Sequence, residues 1–300
     1  MFVINYRSFF ITLSSLLVVV SIAAVVIFGL PLGIDFKGGS ALELQYSGTR
    51  PEITVLKAQA KEAGFTDISV QPFGDTGVLV KSHTLSEDER SALVASLTGN
   101  GSIAATQNSF TTIGPSVGTE LARKALVSVV LVLLAIVLFV AYAFRGVSTP
   151  VSSWKYGIAT ILALMHDIAI PLGAFAILAH NTGAELDTLF IVAILTTLAL
   201  SVSDTIVVFD RIRENLKTGS HNKKSFEHTV GESLSQTFVR SINTSLVVLI
   251  VVIALAVVGP ASTRLFAIVL AIGMFFGTYS SIFLASPLLV LMEKLQHKKR

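Results

Sequence analysis

The sequence is dominated by apolar runs that have the length of membrane-spanning helices. A helix needs about 20 apolar residues to cross the hydrocarbon core of a bilayer. Four runs meet this requirement without any charged residue, and two more reach the same length although they contain ionisable side chains. The six predicted spans are 8–34, 125–144, 156–179, 188–209, 241–263 and 265–292.

The first run is predicted to remain in the protein as a membrane anchor. It follows Arg7, as the apolar region of a signal peptide would, but it extends from 8 to 34. Signal peptides have an apolar region of about 7–15 residues, so this run is too long for one.

Composition supports a membrane protein. The 300 residues are 52% hydrophobic and only 14% charged, whereas globular domains carry about 25% charge. The formal charge is +3, but the basic residues form short clusters beside apolar runs rather than one soluble face, which argues against nucleic-acid binding. The absence of cysteine excludes disulfides and thiolate sites, and we expect neither a metal nor a cofactor.

The positions of the basic residues predict the orientation. Lys and Arg concentrate in cytoplasmic loops, and a cytoplasmic N-terminus leaves only Arg264 in the short loops on the outer side. Both termini are therefore predicted in the cytoplasm. The basic residues on that side are Arg7, Arg145, Lys155, Arg211, Arg213, Lys217, Lys223, Lys224, Arg240, Lys294, Lys298, Lys299 and Arg300.

The long segment 31–123 between the first two spans is predicted to fold outside as a small α+β domain. Ser86 and Glu89 form the pattern of a helix capping box. The order β-α-β-β-α-β is that of a ferredoxin-like sandwich. The segment contains no phosphate-binding glycine loop and no metal-spaced cluster, so we expect protein contact or movement there, or a purely structural role. The predicted elements are strands 41–46, 67–73, 78–83 and 102–110 and helices 51–63 and 86–97.

The remaining chain is divided accordingly. Residues 1–30 form the first helix, and 124–300 form a five-helix bundle with a cytoplasmic loop over 210–240.

Asp204 is a candidate functional residue because a charge near the bilayer centre costs at least about 2.5–3.5 kcal/mol. Thr197, Ser201, Asp204 and Arg211 follow a helical spacing and form a polar stripe on an apolar helix. Such a stripe faces protein or water. The alternative is a structural hydrogen bond between helices.

Arg240 is the second candidate. It is predicted near the start of the fifth span, on one face with Gln236 and Asn243. An arginine near a helix end can also extend to the lipid headgroups, so this spacing leaves a functional and a structural interpretation open.

His166 and Asp167 lie midway along the third span, the most costly depth for a charge. Pro171 follows four residues after Asp167 and predicts a kink that admits water. Because adjacent residues on a helix point to different faces, direct pairing of His166 with Asp167 is not expected. A pair satisfied by neighbouring helices is the structural alternative.

The last span contains a GxxxG pattern at Gly273 and Gly277, followed by Thr278. Small residues at this spacing indicate close packing of helices in a membrane.

Six ordered segments of the sequence resemble those of the SecD/SecF family, on its SecF side, within the resistance-nodulation-division superfamily. Asp35, Gly38 and Gly39 lie in a GIDFKGG segment similar to the family's glycine motif, and Gly114 and Pro115 lie in a second motif. The similar segments are 33–39, 113–118, 163–167, 202–215, 235–245 and 277–281.

The resemblance implies a subunit of the bacterial inner membrane, without enzymatic activity, that pairs with a separate SecD-like chain into a twelve-helix bundle. The pair would associate with the SecYEG channel and couple protons or sodium ions to the movement of exported, unfolded proteins. It also implies ion conduction at Asp204 and Arg240. The full predicted conduction set is Asp204, Arg240, His166, Asp167, Ser201, Asn243 and Thr278.

Three other interpretations remain at this stage. A small-molecule exporter of the same superfamily would normally carry twelve helices in one chain. An intramembrane protease or hydrolase would use His166 and Asp167, but the sequence lacks the GxSxG and HExxH motifs. A scaffold without ion exchange would tolerate Asp204→Asn.

Overall fold

The computed structural model describes residues 2–145, 151–218 and 225–297. The chain divides into two compact units. The helical unit comprises Met1–Leu30, Val127–Asn181 and Leu189–Arg300. The sheet unit comprises Pro31–Leu126 together with Thr182–Thr188, a short segment that the sequence analysis did not assign to it.

Six helices in the described residues are long and apolar enough to cross a membrane, which confirms the predicted number. The last of them is divided by one π-helical turn. The short α1 (Phe2–Asn5) precedes α2 (Arg7–Phe28), and the other spanning elements are α6 (Pro115–Ala143), α7 (Ser153–Thr182), α8 (Thr188–Thr218), α9 (Phe226–Val258), α10 (Ala261–Ser280), the π-helical turn Ser281–Ala285 and α11 (Ser286–His297).

Several helix ends differ from the predicted spans. α2 ends at Phe28 rather than at 34, because Gly29 adopts a φ of 73° and the chain leaves the helix there. α6 begins at Pro115, where proline suits a first helical position.

The predicted loop over 210–240 is largely helical. α8 continues to Thr218, and α9 starts at Phe226 after Ser225 accepts a hydrogen bond from the His228 N–H as its N-cap. The charges that suggested a loop instead line the helix ends, where Arg211 Nη1 contacts Glu214 Oε2 at 2.6 Å. Arg240 consequently lies well inside α9 rather than at its start. Lys223, Lys224, Lys298, Lys299 and Arg300 lie outside the described residues.

α7, α8 and the last span are the most buried helices of the helical unit among the described residues. At one end of the unit, Phe144 stacks on Tyr156 with ring centroids 5.2 Å apart, and both rings meet the edge of Phe209. By contrast, Val26 on α2 and Val258 on α9 are 77% and 85% exposed. Exposed apolar residues along such helices are the surface expected of a protein in lipid.

The sheet unit contains one antiparallel sheet of strand order β2-β3-β1-β4, which confirms the ferredoxin-like arrangement. Its apolar core joins strand residues such as Leu42 and Val80 to helix residues such as Leu56 and Leu93. The four-residue α3 (Ile34–Lys37) precedes β1 (Gly39–Tyr46), α4 (Ile53–Glu62), β2 (Ile68–Phe73), β3 (Gly77–Ser82), α5 (Glu87–Leu97) and β4 (Ala105–Ile113).

The helix cap of the sheet unit is as predicted, whereas its last strand starts later. Ser86 accepts from the Glu89 N–H, and the Glu89 side chain accepts from the Ser86 N–H, so the capping box is confirmed. β4 begins at Ala105 rather than at 102. Gly99, Asn100 and Gly101 all adopt positive φ, and this turn delays the strand by three residues.

Candidate functional site

The Asp167 carboxylate is fully buried in the helical unit and contacts three polar groups. Ser201 Oγ on α8 and Ser280 Oγ on α10 both lie within hydrogen-bond distance of Asp167 Oδ2, at 2.5 and 2.8 Å. His166 Nδ1 lies 2.9 Å from Asp167 Oδ1. The relative exposure of the Asp167 residue is 0%. We call the four residues His166, Asp167, Ser201 and Ser280 the Asp167 cluster.

The contact between His166 and Asp167 corrects the expectation that these neighbours would not pair. Adjacent residues on a helix direct their Cβ atoms to different faces. The side chains of His and Asp are nevertheless long enough to meet at the edge between those faces. The His166 and Asp167 side chains point toward each other, with His166 Nδ1 2.9 Å from Asp167 Oδ1. α7 continues through Pro171, and the kink there stays a prediction.

His166 is held between aromatic rings on α10. Its ring stacks on Tyr279 with centroids 5.9 Å apart, and the edge of Phe276 lies 6.3 Å away. The Tyr279 hydroxyl in turn lies 3.3 Å from Ser14 Oγ on α2. His166 Nε2 is buried and has no hydrogen-bond partner among the described residues.

Asp204 belongs to a second, half-buried arrangement of hydroxyl groups. Ser245 Oγ on α9 donates to Asp204 Oδ2 at 3.0 Å, and Thr278 Oγ1 on α10 donates to Ser245 Oγ at 2.6 Å. We call Asp204, Ser245 and Thr278 the Asp204 cluster. Ser245 and Thr278 also line an otherwise apolar cavity of about 240 Å³ between α9 and α10, as does Tyr279.

Arg240 lies near Asp204 without a direct ion pair. It is close enough to attract the carboxylate electrostatically, but no N–O contact within 4.0 Å joins the two residues in the described chain. The Arg240 side chain instead faces an open polar depression of about 420 Å³ that also contains Asp210 and Gln236. Asn243, one turn further along α9, is exposed.

The two glycines of the last span lie directly against the polar stripe of α8. A Cβ added to Gly273 would overlap the Thr197 side chain, at 2.7 Å from its Cγ2, and one added to Gly277 would lie 3.0 Å from Ser201 Cβ. The small residues therefore allow the close approach of α10 and α8 that brings Ser280 to Asp167.

The π-helical turn directly follows the two clusters along α10. Ser281 opens this turn, and its hydroxyl lies 2.8 Å from Thr205 Oγ1 and donates to the Ser201 carbonyl oxygen at 3.1 Å. Single π-helical turns are frequent at functional sites because they shift the faces of a helix relative to each other. Here the π-helical turn changes which side chains share a face of the last span, directly after Thr278 and Ser280.

Ser280 and Ser245 are functional candidates that were not predicted, although each has a signal in the sequence. Ser280 follows Gly273 and Gly277 at helical spacing, so the small-residue stripe extends by one more position. Ser245 continues the buried polar stripe of Thr237 and Ser241 on α9. A search for small polar residues in phase with the candidates would have identified both.

The glycine motif and the second family-like motif meet within the sheet unit. Gly38 adopts a φ of 81°, and an added Cβ would lie 2.7 Å from Pro115 Cα and 3.1 Å from Gly114 C. Gly39 adopts a φ of 138° beside the Ser82 carbonyl oxygen. Asp35 Oδ2 accepts a hydrogen bond from the Thr188 N–H at 2.8 Å. These residues fix the backbone where the sheet begins, and the described residues contain no acidic or histidine cluster that could hold a metal ion.

Family models agree with these motifs. The model described as protein export membrane protein SecD/SecF, C-terminal, matches residues 93–295. The model described as SecD/SecF GG motif matches residues 23–49.

Relatives match over almost their full length. The protein translocase subunit SecF of Anaerolinea thermophila is 37% identical over 97% of this chain and 94% of its own. The protein translocase subunit SecF of Thermobaculum terrenum is 39% identical over 97% of this chain and 93% of its own.

A solved structure shares the fold. The crystal structure of SecDF from Thermus thermophilus, described as a translocon-associated membrane protein, has a TM-score of 0.84 and 32% identity. The match covers 99% of this chain and 38% of the longer SecDF chain. The chain is therefore a multi-pass membrane protein that belongs to the SecD/SecF family of protein export membrane proteins.

Proposed function

We propose that this chain is a SecF-type subunit of a protein translocase, and that it uses an ion gradient at Asp204 to drive or complete export. The observation that carries the proposal is a half-buried carboxylate inside a membrane-spanning helix, held by one serine hydroxyl at 3.0 Å. Its relatives are protein translocase subunits, which favours export of proteins over export of small molecules.

The geometry suits a carboxylate that changes its partner. Asp204 accepts from Ser245, while Arg240 lies nearby without contacting it. A small shift of α9 along α8 would exchange the hydroxyl for the guanidinium, and a carboxylate can lose its proton when it gains a cation as partner. Sodium could replace the proton, because carboxylate and hydroxyl oxygens are ligands for both. One charge that crosses the membrane gains about 2.3 kcal/mol per 100 mV, enough to bias a two-state rearrangement.

A partner subunit follows from the polar surface of α9. Arg240, Asn243 and Thr244 are exposed on a helix long enough to span the membrane. Polar groups facing lipid are costly, so another protein must cover them. A SecD-like chain is the partner we propose, within an assembly at the SecYEG channel that contacts exported, unfolded proteins.

We further propose the bacterial inner membrane as the location, with both termini in the cytoplasm and residues 31–123 outside. The distribution of Lys and Arg supports this orientation. Because the chain has no cysteine, single cysteines report cleanly on sidedness. An impermeant thiol reagent should label a cysteine at the exposed Thr84 and not one at the exposed Thr218. The opposite labelling would reverse the orientation.

The test of function compares two carboxylates on α8 in cells that depend on the chain. Asp204→Asn should preserve membrane insertion and co-purification with the SecD-like partner, yet leave a secreted reporter unprocessed. Asp210→Asn is the matched control, because Asp210 lies on the same helix but is exposed and paired with Arg213. Normal export in the Asp204→Asn cells, or an equal loss in both variants, would contradict the proposal.

A further inference from the structure

The hydroxyl of Ser280 has more acceptors than it can serve in the Asp167 cluster. Ser280 Oγ lies 2.8 Å from Asp167 Oδ2 and 3.0 Å from the Gly277 carbonyl oxygen. A hydroxyl carries one hydrogen and can also accept. If Asp167 is ionised, Ser280 donates to Oδ2 and gives up Gly277. If Oδ2 carries a proton, that proton is donated to Ser280 Oγ, and Ser280 donates to Gly277.

Both forms of Asp167 are therefore provided with hydrogen bonds. The ionised form accepts from Ser201, Ser280 and His166. The neutral form keeps these contacts and gains a bond at Gly277. The Gly277 carbonyl oxygen still accepts the Ser281 N–H when Ser280 turns away. Buried polar groups need partners in each state they occupy, and this arrangement supplies them.

His166 cannot hold the exchanged proton equally well. Its Nδ1 faces Asp167, while the buried Nε2 has no partner among the described residues. A hydrogen on Nε2 would be a buried donor without an acceptor, which costs about 1–3 kcal/mol. A neutral imidazole with its hydrogen on Nδ1 avoids this cost, and it orients the Asp167 carboxyl group.

We propose that Asp167 is a second proton-binding carboxyl group of the helical unit, separate from Asp204, whose proton lies between Oδ2 and Ser280. On release, the carboxyl O–H bond breaks, the proton passes to water, and the Ser280 hydroxyl turns from Gly277 to the carboxylate. Ser280 directly precedes the π-helical turn Ser281–Ala285. Protonation of Asp167 therefore changes a hydrogen bond at the point where the last span passes from α-helix to π-helix.

The titratable groups near the Asp167 cluster lie on three helices. α7 contributes His166, α8 contributes Asp204 three residues after Ser201, and α10 contributes Tyr279. From α2, the Ser14 hydroxyl lies 3.3 Å from the Tyr279 hydroxyl. Proton binding at Asp167 rests on this geometry alone, whereas its use in export rests on the proposed function.

Infrared difference spectroscopy tests the proposal on the full chain in lipid nanodiscs, titrated from mildly acidic to mildly alkaline pH. The wild type should show a carboxylic acid C=O band that disappears as pH rises. Asp167→Asn should lose this band, whereas Asp204→Asn should retain it. A band that never titrates, or an Asp167→Asn variant that loses only ionised carboxylate signals, would overturn the proposal.

Ser280→Ala keeps the proposal testable if Asp167→Asn does not fold. Loss of the acceptor for the acid proton should shift the frequency of the same band and move its titration midpoint. An unchanged band would refute the assigned proton position. None of these readouts needs export activity. Failure of the proposed export function would therefore not change the infrared result, and the two hypotheses can be tested separately.

Discussion

Gly173 on α7 provides a test of how firmly α2 belongs to the helical unit. A Cβ added to Gly173 would lie 2.5 Å from Ser21 Cα and 2.8 Å from the Ser21 carbonyl oxygen. These are backbone atoms of α2, so no side-chain rotation can relieve the contact. Gly157 on the same helix is also buried, yet an added Cβ would meet no atom within 4 Å. The two positions therefore form a matched pair.

The expected effect is the difference between the two alanine variants. Alanine in place of glycine favours a helix by about 1 kcal/mol, and this gain is common to both positions. Overpacking against a fixed neighbour costs about 1–3 kcal/mol and applies only to Gly173. Gly173→Ala should consequently be less stable than Gly157→Ala by about 1–3 kcal/mol.

Thermal unfolding of the purified full chain in detergent measures this difference. Ser21→Gly should rescue Gly173→Ala only in part, because it removes the Ser21 Cβ contact and leaves those with the backbone. Ser14, which lies 3.3 Å from the Tyr279 hydroxyl, belongs to the same contact surface of α2. Equal midpoints for Gly173→Ala and Gly157→Ala would refute the close packing of α2 on α7.

Two further predictions concern charged groups at helix starts. The Ser86 N–H and hydroxyl hold the pKa of Glu89 below its ordinary value, so the stabilising contribution of its carboxylate is present above the ordinary pKa and is lost as pH falls through the lowered one. Protection factors for hydrogen exchange in α5, which correct for the intrinsic effect of pH on exchange, should fall over that acidic range. Glu89→Gln should remove this fall, and an unchanged pH dependence would contradict the capping role. Glu227 contacts Arg7 and, at 2.6 Å, Lys294. Glu227→Gln should lower the free energy of unfolding by about 1 kcal/mol, and no change in thermal midpoint would show that the pairs contribute nothing.

Local signals in the sequence were sufficient to predict most helices and strands and the fold class. Apolar runs longer than a bilayer thickness have few alternative structures, which is why the six spans were predictable. The Ser86 and Glu89 pattern is likewise a short-range interaction, and the helix formed where it indicated. The clusters of Lys and Arg predicted an orientation, which stays a prediction, but they did not show that the charged segments are helical.

The candidate site was only partly predictable, because its contacts join distant parts of the chain. The carboxylates of Asp167 and Asp204 stood out by their cost in lipid, but their partners are serines, which are common in any sequence. The contact of Ser280 with Asp167 depends on how closely Gly277 lets α10 approach α8. The π-helical turn has no sequence signal that was recognised, since it results from packing.

Gradient-driven translocation in sealed membrane vesicles tests the central proposal most directly. Vesicles that contain this chain, its SecD-like partner and the channel are given either a proton gradient or a sodium gradient, and the movement of a radiolabelled precursor is followed. One of the two gradients should accelerate translocation by the wild type and have no effect with Asp204→Asn, while Asp210→Asn should behave as the wild type. Equal acceleration of the Asp204→Asn vesicles would contradict ion exchange at this carboxylate.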